Sequence, residues 1–358
     1  MRVNKKGMLM SISNKKVIYN FTLQQLKEFI KTLDEPSFRA AQVWEWLYVK
    51  RISSFDAMTS LPKSLREKLK QNVQFSSLEP HIDLTSTDGW TRKILFNLPE
   101  SSQVETVLMG YHKRRTACIS TQAGCGLGCT FCATGQAGLQ RNITAGEIVE
   151  QVMFFDRILH ANKEKLSNLV YMGMGEPFAN YREVMKSVDI LTDKNGYNFG
   201  ARRITISTVG LIPQIIRFAD ENRQVNLAVS LHAAEDDLRS SMLPINKKYP
   251  LKELFEACRY YVKKTNRRLS FEWALIDDIN DAPEQAKLLA KLLKGMLCHV
   301  NLIPLNPTQG YYGRESKIAR IKKFREILDK QGIPNTLRVR RGIDIHAGCG
   351  QLRQMVKS

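Results

Sequence analysis

At 358 residues the chain is long enough for two domains and a sizeable buried core, which excludes a peptide-sized binding module. Hydrophobic residues make up 43% and charged residues 25%, and no apolar run approaches the ~18 residues of a membrane span. Lys and Arg number 54 against 35 Asp and Glu; residues 1–80 carry 14 basic and 7 acidic side chains and residues 309–358 carry 12 and 4, so the two ends hold +15 of the +19 excess.

A near-neutral middle between basic ends suits a catalytic core flanked by surfaces that meet a polyanion, of which nucleic acid is the commonest. Lys5, Lys6, Lys15 and Lys16 surround a Gly7-Met8-Leu9-Met10 stretch too short for a secretory signal, so a cytoplasmic protein with no membrane partner is expected. From Phe21 to Leu69 apolar residues recur at helical spacing, at Leu23, Leu26, Phe29 and Ile30 and again at Val43, Trp46, Leu47 and Val49, with Pro36 and Pro62 as punctuation. This predicts an N-terminal helical accessory domain over 1–75, with Trp44, Trp46 and Tyr48 packing its interior. Short strands at 93–96 and 105–108, broken by Asp88-Gly89 and Gly110, predict a β-hairpin connector over 76–115.

After Thr116 a βα rhythm begins. Strands are expected at 116–121, 168–174, 204–209, 226–232, 269–276 and 299–305, with helices at 145–158, 181–192, 251–264, 283–293 and, strongly basic, 317–331. This α/β pattern is that of a partial (βα)6 barrel over 116–345, followed by a tail over 346–358. Ligands in such folds collect at the C-terminal ends of the strands.

The unusual residues fall there. Cys125, Cys129 and Cys132 follow the first strand in a Cys-x3-Cys-x2-Cys spacing on a Gly-rich loop, and no fourth donor lies close by. Structural zinc normally takes four ligands at short spacing, whereas a 4Fe-4S cluster held by three thiolates keeps one iron open for a small molecule. With seven cysteines in a reducing compartment, a disulfide framework is not expected; Cys258 and Cys298 have ordinary packing explanations. The triplet resembles that of the radical S-adenosylmethionine (SAM) superfamily, in which the open iron chelates SAM and the reduced cluster cleaves it to a 5'-deoxyadenosyl radical.

The resemblance gives the other strand ends a meaning. Tyr171-Met172-Gly173-Met174-Gly175-Glu176-Pro177 matches the superfamily segment that contacts the SAM amino group, which implicates Gly175 and Glu176. Ser207, the run Ser230-Leu231-His232, and Asn306 follow later strands and look like the rest of a SAM pocket.

Cys349, in Arg340-Arg341-Gly342-Ile343-Asp344-Ile345-His346-Ala347-Gly348-Cys349-Gly350, is flanked by glycines and reads as an accessible thiol on a pliable segment. The whole set resembles the adenosine carbon-2 methyltransferases of large-subunit ribosomal RNA and tRNA, from about Gln42 to Leu352. The likeness includes Val104-Glu105-Thr106-Val107, Pro244-Ile245-Asn246-Lys247-Lys248-Tyr249-Pro250 and Val300-Asn301-Leu302-Ile303-Pro304.

That resemblance implies a two-SAM reaction. Carbon 2 of adenine is electron-poor and does not attack an electrophilic methyl group, so a radical route is required. One SAM would methylate Cys349, and a second would supply the radical that activates the S-methyl group for addition to the base. Glu105 would be the base that removes the ring proton, and Cys118 would release the product by forming a disulfide with Cys349. It also implies 23S rRNA and tRNA as partners, a flavodoxin or ferredoxin as electron donor, and a monomer. The target base must leave its stack to reach a barrel mouth. Lys317, Arg320, Lys322, Lys323 and Arg325, and a strand at Arg338-Val339-Arg340-Arg341, are candidate phosphate contacts. Two other readings stay open: a sister enzyme that methylates carbon 8 of adenine in 23S rRNA, and a non-catalytic RNA-binding protein whose cysteines hold zinc.

Overall fold

The computed structural model describes residues 15–352; readings that rest on residues 1–14, such as Lys5 and Lys6, or on 353–358 lie outside the described residues. The N-terminal region folds as α1 (Leu23–Lys31), α2 (Arg39–Tyr48) and α3 (Lys63–Asn72). Thr22 opens α1 with a capping box: its side chain accepts the Gln25 N–H while the Gln25 side chain accepts the Thr22 N–H. Pro62 caps α3, where a missing N–H costs the helix nothing. Trp44 and Tyr48 are buried in this unit, as expected, and Tyr19 meets Tyr48 edge-on at 5.8 Å.

The connector region forms β1 (Glu79–Thr85), β2 (Thr91–Asn97) and β3 (Gln103–Tyr111), which pair antiparallel and continue into β4 (Arg114–Cys118). From β4 onward the same sheet turns parallel. After the small ribbon of β5 (Gln122–Gly124) and β6 (Leu139–Asn142), with short α4 (Ala133–Gln136) between them, come α5 (Ala145–Ala161), β7 (Asn168–Tyr171), α6 (Tyr181–Thr192), β8 (Ile204–Thr208) and α7 (Ile212–Asp220). The chain continues through β9 (Asn226–Ser230), α8 (Asp236–Met242), α9 (Leu251–Thr265), β10 (Leu269–Leu275), α10 (Pro283–Leu293), β11 (Cys298–Pro304), α11 (Ile318–Lys330) and β12 (Asn335–Leu337).

The ten-stranded order is β1-β2-β3-β4-β7-β8-β9-β10-β11-β12. Strands β4 and β7 to β11 are the six parallel strands of the expected partial (βα)6 barrel. Two details differ from expectation. The strand expected at 338–341 lies instead at β12, parallel to β11, and pairing ends when the Arg338 N–H donates to the Leu302 carbonyl at 2.8 Å. Helix α7 fills a crossover for which no helix was named, and α8 is an added helix ahead of the expected one at α9; α7 lays Ile215, Phe218 and Ala219 into the core.

The helical unit is tied to the barrel at α5. The Arg51 guanidinium pairs with Asp156 at 2.5 Å, and Asn20 Oδ1 accepts the Gly146 N–H at 3.0 Å. Glu150 is buried beneath the chain leading to β1, accepting from the Ser76 and Ser77 hydroxyls and from the Ser77 N–H at 3.0 Å. Burial pushes its carboxyl up to about 7 despite these donors. A folded-state value above the ordinary 4.5 contributes stability that is complete below about pH 4.5 and is lost as pH rises through about 7. The melting temperature of the wild type should therefore fall relative to Glu150→Gln between pH 5 and 8, by several degrees, as read by calorimetry of the two proteins. Parallel curves would mean that Glu150 is ionised throughout.

Candidate active site

The C-terminal ends of the parallel strands surround a cavity of about 180 Å³. It is lined by Cys125, Cys129 and Cys132, by Gly175 and Glu176, by Ser207, Ser230, His232 and Asn306 from the later strand ends, and by Cys349. Residues more than two hundred positions apart in sequence thus line one cavity.

Each cysteine is placed by local backbone. Gly124, with φ +78, turns the chain into the loop, and a Cβ there would sit 2.0 Å from the Gly138 carbonyl. The Cys132 N–H donates to the Cys129 carbonyl at 3.2 Å, which curls the two thiols together, and α4 starts directly after. Burial raises all three thiols above their ordinary range, and the neighbouring thiols and Glu176 add to this at Cys125 and Cys129; Cys125 reaches about 11. Such a group loses its protons readily only to a cationic centre. No three His, Cys, Asp or Glu side chains among the described residues are arranged to hold one ion. A cluster makes a different demand, engaging each thiolate through a separate iron.

Gly173 and Gly175 serve a packing need. A Cβ on Gly173 would lie 2.6 Å from Ser120 Oγ, and one on Gly175, at φ +100, would lie 2.5 Å from the Gln122 side chain. Their close approach is thus to the segment 119–122, and Glu176 beside them joins the cavity lining. The Glu176 carboxylate accepts the N–H groups of Phe178 at 3.0 Å and Val209 at 2.9 Å, and burial pushes it up to about 7. Ser207 and Ser230 face each other with hydroxyls 3.3 Å apart. His232 stands edge-on to Phe131 at 5.0 Å and accepts the Ala274 N–H at Nδ1; burial, with Arg239 beside it, drops its pKa to about 3, so it is neutral. Leu231 is fully buried and does not line the cavity; its backbone is what positions the strand end. Asn306 donates to the Cys349 carbonyl at 3.0 Å, while its buried Oδ1 has no protein partner and is available to a ligand donor.

The segment bearing Cys349 is stapled to the cysteine loop. The Ala133 N–H donates to the Gly350 carbonyl at 2.8 Å, the Thr134 hydroxyl to the Leu352 carbonyl at 2.6 Å, and Gln351 Nε2 to the Pro307 carbonyl at 2.9 Å. Cys349 also lines a second, smaller cavity, and Cys118 lines its other wall. Burial, then the neighbouring Cys349, push the Cys118 thiol up to about 12, against the pull of Arg338. Glu105 lines neither cavity; it is 2% exposed, and its carboxylate pairs with Lys93 Nζ at 2.8 Å.

Three contributors escaped the sequence reading or were misread in it. Glu272 lines the main cavity and accepts from Asn301 Nδ2 at 2.7 Å. Arg338, expected to reach phosphates, instead lines the smaller cavity between the two cysteines. Of its neighbours, Arg340 pairs with Glu315, and the Arg341 guanidinium lies 5.5 Å from the Trp90 ring and 4.9 Å from that of Tyr111. Lys317, Lys322 and Lys323 remain exposed. Arg239 is wholly buried, donating to the carbonyls of Val209 at 2.6 Å and Leu231 at 3.2 Å and to Asn246 Oδ1 at 2.7 Å, so it fixes the ends of β8 and β9 together. Arg239→Met should cost on the order of 3 kcal/mol in urea unfolding, because it strands these acceptors without water. A loss under about 0.5 kcal/mol would mean that solvent reaches them.

Two family profiles match in chain order: the ribosomal RNA large subunit methyltransferase N-terminal domain over residues 17–75, and the radical SAM superfamily over residues 119–292. The chain is 49% identical over 338 residues, 94% of its own length and 93% of the other's, to a protein of Bacillus pumilus named probable dual-specificity RNA methyltransferase RlmN. The chain belongs to the RlmN family. The RlmN protein 1 of Myxococcus xanthus is 46% identical, with 95% of each chain covered. A solved radical SAM methyltransferase from Sphaerobacter thermophilus superimposes with a TM-score of 0.93 at 50% identity, covering 94% of this chain and 99% of that one. This RlmN-family chain is therefore a radical SAM methyltransferase, of a superfamily that uses a 4Fe-4S cluster and SAM. The three thiols, buried at Cys125 and half-buried at Cys129 and Cys132, the unpartnered Asn306 oxygen and the Glu176 carboxylate in the cavity lining suit those groups.

Proposed function

We propose that this chain methylates carbon 2 of an adenosine in 23S ribosomal RNA and in tRNA. The observation that carries the proposal is the placement of Cys349 between two cavities, one shared with the cysteine triplet and the other with Cys118. A thiol so placed can face a methyl donor on one side and a second thiol on the other. When bound, the cluster and SAM supply an electrophilic methyl group and, on reduction, a hydrogen-abstracting carbon radical. Cys125, Cys129 and Cys132 hold the cluster; Gly175, Glu176, Ser207, Ser230, His232 and Asn306 cradle SAM, with Leu231 acting only through the backbone that sets the strand end. Cys349 carries the methyl group to the base, Glu105 takes the ring proton, and Cys118 frees the product by closing a disulfide with Cys349.

The division of labour follows the chain. The helical region over 1–75 and the basic C-terminal surface with Lys317, Lys322 and Lys323 grip phosphates, the connector over 76–115 presents Glu105, the barrel over 116–345 holds the cofactors, and the tail over 346–358 brings Cys349. We infer a cytoplasmic monomer reduced by a flavodoxin or ferredoxin. No helix of the described residues is long and apolar enough to cross a membrane.

The test is anaerobic incubation of cluster-loaded protein with unmethylated ribosomal RNA or tRNA, SAM and a reductant, followed by nuclease digestion and chromatographic separation of methyladenosine isomers. Formation of 2-methyladenosine supports the reading. Formation of 8-methyladenosine would transfer the chain to the carbon-8 reaction, which the names of its relatives do not favour.

A further inference from the structure

The strand register places three chemically active side chains on one face. Lys93 on β2 lies opposite Val107 on β3, which lies opposite Cys118 on β4; Glu105, two residues before Val107, shares their side. Lys93 is 7% exposed, so its charge needs partners. Its ammonium donates to Glu105 Oε1 at 2.8 Å and to the backbone carbonyl of His346 at 3.2 Å. His346 holds a left-handed conformation at φ 51, and it lies three residues before Cys349.

We propose that Lys93 is a positioning residue for the Cys349 thiol: fixed by the Glu105 carboxylate, it clamps the His346 carbonyl and so holds the segment that carries Cys349. The clamp also couples chemistry to motion. When Glu105 accepts a proton from the RNA base, its C–H bond pair stays with the base and the carboxylate becomes a neutral acid. Lys93 then loses its counter-charge, and its hold on His346 weakens at the moment when Cys349 must turn toward Cys118. This coupling rests on the reading of Glu105 as the base; the clamp itself does not.

The hairpin limits what the loss of Lys93 can do. The Asp344 carboxylate accepts the Thr87 N–H at 2.8 Å and its hydroxyl at 2.9 Å, and Arg341 stays between Trp90 and Tyr111. Segment and fold should survive while the stretch between Asp344 and Gly350 loosens.

The test uses wild-type, Lys93→Met, Lys93→Arg and Glu105→Gln proteins prepared without the cluster, so that Cys349 stays unmethylated, and then loaded with it in the absence of SAM and RNA, measuring alkylation of the Cys349 thiol by iodoacetamide through peptide mass spectrometry. Melting temperature and cluster absorbance are followed alongside. The expected result is an alkylation rate at least about fivefold higher in Lys93→Met and in Glu105→Gln, with wild-type cluster absorbance, and return toward the wild-type rate in Lys93→Arg, since a charge-assisted hydrogen bond holds the segment. Unchanged alkylation in Lys93→Met, or a rise that Lys93→Arg does not reverse, would overturn the clamp. If the alkylation results hold but Glu105→Gln still forms methyladenosine at the wild-type rate, the clamp stands and the assignment of Glu105 as base falls.

Discussion

Cys349→Ala should retain the cluster and lose RNA methylation by at least about a thousandfold, the scale expected when a covalent carrier is removed. The prediction follows from what Cys349 touches. Its own segment meets the cysteine loop through backbone groups, Ala133 to Gly350 and Thr134 to Leu352, so removal of one sulfur leaves those bonds in place. Iron content and cluster absorbance should match the wild type within error. Mass spectrometry of the intact wild-type protein should reveal one methyl group on the Cys349 peptide, absent from the variant. Retained methylation in Cys349→Ala would reduce Cys349 to a bystander and require a different methyl carrier.

The second large effect is expected at Cys118. Cys118→Ala should complete attachment of the RNA to Cys349 and fail to release it, so that protein and RNA migrate together on a denaturing gel and separate only after ribonuclease treatment. The smaller cavity contains both sulfurs, and among the described cysteines those are the two that line it. The Cys118 thiol, pushed up to about 12, is a poor nucleophile while it stays buried. Release therefore requires a change in its surroundings, for which Arg338, a cation in the same cavity lining whose charge acts on both sulfurs, is the available stabiliser. Free methylated RNA formed at the wild-type rate by Cys118→Ala would make this residue an ordinary strand cysteine.

How much of this was legible in the sequence depends on the kind of signal. The cysteine triplet announced itself because three soft ligands on a glycine loop have few other uses, and helices such as α6 and α10 carried clean apolar periodicity. Arg338 could not be read. In a run of three arginines over four positions each looks like a surface charge, and only the end of pairing at β12 turns the first of them inward. Lys93 was hidden for a related reason: a lysine next to Arg92 at the start of an apolar strand run reads as exposed, and its burial depends on the arrival of His346 from 253 positions downstream. Glu105 was found through family likeness, and its enclosure by Lys93 was beyond any local pattern. Glu272 and Arg239 are buried charges whose partners come from other strands and turns, so nothing near them in the chain marked them. The strand β12 is three residues long, below what alternation can detect.

The bond between Thr134 and Leu352 spans 218 positions. At roughly 5–20 residues per second, the loop with Cys125, Cys129 and Cys132 leaves the ribosome roughly ten to forty seconds before the segment that covers it is made. For that interval the three thiols stand without their lid. Oxidative damage to the nascent chain should therefore concentrate there, and iron loading is best timed after the segment has docked.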